Sequence, residues 1–127
     1  MKQSIIVLAI ILMLSCSKTT VTDPAELTIT TKTSSPQITA CMQRLIDSTA
    51  ERPKGELFTQ IDAYQYNGGI VYLYIAGCCD RYNDLKDGNC VYLFSPSGGL
   101  MGCGDCTHRE FFNEAVYLQT MWKDSRQ

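Results

Sequence analysis

Six cysteines lie between residues 41 and 106 of this 127-residue chain, five of them in the stretch Cys78–Cys106. So dense a set in so short a chain serves metal binding, thiol chemistry or a disulfide framework, and the compartment decides which. The stretch runs from the end of an apolar strand, through acidic turns, into Ser97-Gly98-Gly99-Leu100-Met101-Gly102. The rest of the chain reads as scaffold for it or as a tether.

The compartment is written at the start of the chain. Lys2 precedes Ile5–Leu14, ten apolar residues that suit a signal-peptide core and are too few to span a bilayer. Leu14-Ser15-Cys16 follows and resembles a bacterial lipobox, with Met13 where leucine is usual. Residues 1–15 are therefore expected to be a lipoprotein signal peptide, and Cys16 the acylated first residue of the mature chain. The remaining 112 residues carry ten basic and thirteen acidic side chains, which gives no basic footprint for nucleic acid. The expected partner is the membrane, through lipid on Cys16, in a bacterial cell envelope and at its outer membrane. An even six cysteines in an oxidising compartment then read as disulfides: Cys41, Cys78, Cys79, Cys90, Cys103 and Cys106.

Residues 16–35 are a Ser/Thr-rich tether; ten of the nineteen after Cys16 are Ser or Thr. Extended, they reach about 60 Å. Within them Glu26–Thr30 alternates as a short edge strand would. Residues 36–127 form a single cysteine-rich domain. Ser35-Pro36 predicts a helix start, with Ile38, Cys41, Met42, Leu45 and Ile46 on one stripe. Pro53 and Gly55 end it. Ile61–Tyr66 and Ile70–Ile75 read as strands joined through Asn67-Gly68-Gly69, a hairpin signal. Val71, Leu73 and Ile75 share one face of the second strand, expected to pack on the helix. Tyr72 and Tyr74 share the other, expected to lie outward with Tyr92. Asp80–Asn89 reads as polar turns, Cys90–Phe94 as a strand stopped by Ser95-Pro96, and Ala115–Trp122 as a closing strand after a turn or two of helix. The sum is an α+β domain, one N-terminal helix on a small three- or four-stranded antiparallel sheet, with disulfide-stapled loops. Cys41 in the stripe and Cys79 on the aliphatic face favour a Cys41–Cys79 bridge, with Cys78, Cys90, Cys103 and Cys106 left unassigned.

Cys41, Tyr64-Gln65-Tyr66-Asn67-Gly68, Cys78-Cys79-Asp80, Asp84-Leu85, Asp87-Gly88-Asn89-Cys90, Pro96-Ser97-Gly98-Gly99, Gly102-Cys103-Gly104-Asp105 and Trp122-Lys123-Asp124 occur in that order. Over residues 38–124 this pattern resembles small cysteine-rich lipoproteins of Bacteroidetes, a domain-of-unknown-function family. The chain departs from the pattern at Cys103 and in the early position of its last cysteine. The resemblance implies no activity, cofactor or catalytic residue.

The residues themselves leave a few chemistries to weigh. Cys103-x-x-Cys106 ahead of a possible helix has the form of a redox pair, so a thiol–disulfide oxidoreductase is the alternative function. With His108 the same pair offers zinc ligands at a spacing that fits no standard site. Asp80, Asp84 and Asp87, with Asn83 and Asn89, offer oxygen ligands for calcium without the EF-hand register. Solvated turns explain the same residues. One histidine and no paired nucleophile make catalysis the minority reading. The expected function is a lipid-anchored, non-catalytic binding module for an envelope protein or glycan, without a cofactor. A protease-inhibitor-like module is a further alternative. Its expected contact surface is the loop side: Asp80, Asn83, Asp84, Asp87, Asn89, Gly98, Gly99, Gly102, Gly104 and Asp105.

Overall fold

Asn67-Gly68 folds as the hairpin signal requires. β1 (Phe58–Tyr66) and β2 (Gly69–Ala76) meet through a two-residue turn with φ of 47° and 77° at Asn67 and Gly68. Positive φ at both positions gives the turn the twist of the strands it joins. The computed structural model describes residues 35–126. The chain divides into Met1–Lys32 and Thr33–Gln127, and the described residues all belong to the second unit. The signal segment, Cys16, the Glu26–Thr30 strand and the tether up to Ser34 lie outside the described residues.

Helix α1 (Ala40–Ala50), β1, β2, β3 (Tyr82–Lys86), β4 (Tyr92–Gly98), a short α2 (Phe111–Glu114) and β5 (Val116–Lys123) follow in order. The strands make one five-stranded antiparallel sheet, ordered β4-β3-β2-β1-β5. The fold is thus α+β, with five strands rather than three or four. The additional strand is β3, inside the segment read as polar turns. Its one aliphatic residue, Leu85, is fully buried, while Asn83 and Asp84 find hydrogen-bond partners in Ser97 and Ser95 of β4. β4 also runs on through Pro96, where a stop was expected. Pro96 sits in a register shift between Asn83 and Leu85, and a bulge has no ladder bond for the missing N–H to break.

α1 lies inside the chain rather than at its N-terminus, and Thr39, not Ser35, caps it by accepting from the Met42 amide at 3.4 Å. The Tyr72 hydroxyl donates to the Gln37 carbonyl at 3.2 Å, which fixes the lead-in ahead of the helix and leaves Ile38 exposed. Met42 and Ile46 pack on Phe58, Ile61, Ala63, Tyr72 and Tyr74. The tyrosine face therefore lies under the helix, the reverse of the expected orientation. Val71, Leu73 and Leu85 pack on the other face with Phe94 and Phe111. β2 is buried on both sides, so its aliphatic–aromatic alternation separates two cores rather than inside from outside.

Candidate functional site

The acidic and amide side chains expected to form one contact surface are divided by the β3–β4 hairpin. Tyr82 pairs with Gly98 and Lys86 with Tyr92, so Asp87 and Asn89 lie at the end of the hairpin opposite the Gly-rich loop. The side chains of Asn83, Asp84 and Asp87 are also committed to a turn or strand. Asp87 Oδ1 accepts from the Asn89 and Val91 amides, both at 2.8 Å. Asn83 Oδ1 accepts from the Ala76 amide at 2.8 Å, and Asp84 Oδ1 accepts from Ser95 Oγ at 3.0 Å. Among the described residues no three His, Cys, Asp or Glu side chains gather closely enough to hold a metal ion. Asp80, Asp84 and Asp87 do not converge, and His108 instead stacks on Phe94 with centroids 3.9 Å apart.

What remains of the expected surface is the Gly-rich loop, together with Asp80–Tyr82. The loop turns back along the outer edge of β4. Gly98 forms a parallel bridge with Cys103, the Gly104 amide donates to the Gly98 carbonyl, and the Asp105 amide donates to the Ser95 carbonyl. Gly104 is required here because a Cβ would overlap the Ser95 carbonyl. Asp105 closes the arrangement: Oδ1 accepts from the Thr107 amide and hydroxyl, and Oδ2 from the Ser95 amide at 3.0 Å. These bonds, Thr107's first, hold its carboxyl well below the ordinary value, at about 2. Cys103–Cys106 ties off the base. At the tip, the Gly102 amide donates to the Gly99 carbonyl at 3.0 Å and turns the chain over Leu100 and Met101. Those two side chains are 81% and 84% exposed. The expected contact surface includes the loop's glycines but not this pair, although two large apolar residues between glycines were the available signal.

Cys41 pairs with Cys90, at a Cα separation of 6.2 Å, and not with Cys79. β2 ends at Ala76, and the chain turns through Gly77–Asp80, where Cys79 has φ of 66° and is exposed. The helix, moreover, covers the tyrosine face, so no aliphatic-face cysteine could meet Cys41. Cys90, also at positive φ, is carried under the helix by the Asp87–Val91 turn. Cys78 and Cys79 have no partner among the described cysteines. Cys106 does not directly precede a helix: Thr107–Glu110 separate it from the four-residue α2.

A concavity lies elsewhere on the sheet. α1 covers β1 and β2 but leaves the same face of β3 open. A cavity of about 170 Å³ lies there, walled by Leu45, Phe58 and Tyr74 on one side and Tyr82, Asp84 and Lys86 on the other. Burial, and then Tyr72, pushes the Tyr74 hydroxyl up to about 12, and the Lys86 ammonium sits 4.9 Å from its ring centre.

A family model described as "Domain of unknown function (DUF6970)" matches residues 47–124, from the last turns of α1 through β5. None of the curated proteins and none of the solved structures matches the chain.

Proposed function

The chain belongs to the DUF6970 family, a domain of unknown function, and as one of its members we propose that it is a lipid-anchored, non-catalytic binding module of a bacterial cell envelope. Cys16 carries the lipid in this reading, and the Ser/Thr-rich stretch to residue 35 holds the domain off the outer membrane. The observation that carries the binding reading is the exposure of Leu100 and Met101 on a turn held from both sides. Two large apolar side chains in water are unfavourable unless covered, and a braced loop loses little conformational freedom when a partner covers them. The partner is a protein with an apolar cleft, and Leu100 and Met101 are its anchors.

A photo-crosslinking residue at position 101 should give one discrete adduct in intact cells, and the same residue at exposed Gln43 should not. Leu100→Asp should weaken that adduct while melting within about 0.5 kcal/mol of wild type. Cys16→Ala should remove fatty-acid label and membrane retention together. A crosslink at 43 alone, or an adduct indifferent to Leu100→Asp, assigns the contact elsewhere.

A further inference from the structure

Cys78 and Cys79 are neighbours in the Gly77–Asp80 turn, both exposed and neither bonded to a described cysteine. The turn is fixed at both ends. The Ala76 amide donates to Asn83 Oδ1, and the Arg81 guanidinium donates to the Glu56 carbonyl. Cys79 takes φ of 66°, which breaks the alternation of a strand, so the two side chains are not forced onto opposite faces. The adjacent Cys78 thiol raises the Cys79 thiol above its ordinary pKa.

Geometry sets what such a pair can bind. Their Cα atoms are about 3.8 Å apart across a trans peptide, whereas disulfides ordinarily need about 4.4–6.8 Å. Direct closure into a ring is therefore strained. One atom inserted between the sulfurs lengthens the bridge and removes that constraint. A large, soft atom with two exchangeable positions is the best match to two thiols and no third ligand.

We propose that Cys78 and Cys79 form a two-sulfur capture site for monosubstituted trivalent arsenicals. The step is R–As=O plus two thiols giving R–As(S-Cys)₂ and water. Two S–H bonds and the As–O bonding are exchanged for two As–S bonds and the O–H bonds of water; arsenic stays trivalent, and no oxidant is required.

Phenylarsine oxide added to the purified full chain without reductant tests this by intact mass. One adduct per chain is expected, released by 2,3-dimercaptopropanol. Cys78→Ser and Cys79→Ser, both at exposed positions, should each weaken capture by about a hundredfold, the advantage of the second, tethered sulfur. Cys16→Ser and the Cys103→Ser/Cys106→Ser double variant should capture as wild type does. Non-reducing peptide mapping that finds Cys78 and Cys79 joined to each other or to another cysteine overturns the proposal. So does a single serine variant that captures as tightly as wild type.

Discussion

Asp105 supplies the bonds that a further strand would otherwise give to the outer edge of β4. Its two oxygens accept from Ser95 on the strand and Thr107 beyond the disulfide, and Ser95 is buried. The folded-state pKa of about 2 lies below the ordinary 3.8, so the proton is bound more weakly in the folded chain. The contribution to stability is then complete above the ordinary value and lost as pH falls towards about 2. Asp105→Asn should flatten acid unfolding in that window, leaving the slope that comes from Asp124, whose bond from Arg126 also holds it at about 2. Asp105→Ala should cost about 2–3 kcal/mol at neutral pH, because the buried Ser95 amide loses a charged acceptor. Urea unfolding from pH 2 to 7 measures both, and an unchanged acid limb in Asp105→Asn would show that the carboxylate is not bound as described. Asp105 was expected from the sequence to lie on the contact surface of the loop side. That it faces inward follows from Ser95, ten residues away, and no local pattern carries that information.

Among the elements, α1 takes its C-terminal cap from a residue distant in the chain. Arg126 reaches back from beyond β5: Nη1 donates to the Ala50 and Arg52 carbonyls and Nη2 to that of Thr49. Asp124, with a side chain almost wholly buried, holds the guanidinium at 2.7 Å. Arg126→Ala should lower the melting temperature and speed hydrogen exchange at the end of α1, while β1 and β2 amides keep their protection. Equal loss of protection in the sheet would mean that the helix and sheet unfold as one unit. The elements legible in the sequence were those with local signals: the hairpin, the Met42–Ile46 stripe and the closing strand. The strand missed, β3, has a polar face whose partners come from β4. The face of β2 was misjudged because both of its faces are buried. Pattern shows that two faces differ in chemistry; which one meets the helix depends on where the helix arrives.

At the scale of the molecule, one sheet carries two thin layers. α1 closes one core, and on the other side fully buried Phe111 meets Tyr64, Tyr66 and Phe94 edge-on, with centroids 5.1–5.7 Å apart. Neither layer is large, and small cores commonly rely on covalent staples. The even cysteine count suggested three bridges, whereas among the described residues two form and Cys78 and Cys79 are left without a partner. The two bridges act at different ranges. Cys41–Cys90 spans 49 residues and ties α1 to the β3–β4 turn; Cys103–Cys106 spans three and braces only the loop. Restriction of the unfolded chain grows with the logarithm of the loop closed, so the first should contribute roughly 4 kcal/mol and the second roughly 2. Cys41→Ser/Cys90→Ser should accordingly show the larger fall in urea stability. Cys103→Ser/Cys106→Ser should lose less and instead open residues 98–106 to limited proteolysis before the domain unfolds. If the loop variant proves the less stable of the two, or its loop stays resistant while the whole domain weakens, the short bridge supports the second core through Asp105 and Phe94, and the loop is part of the fold rather than an appendage built on it.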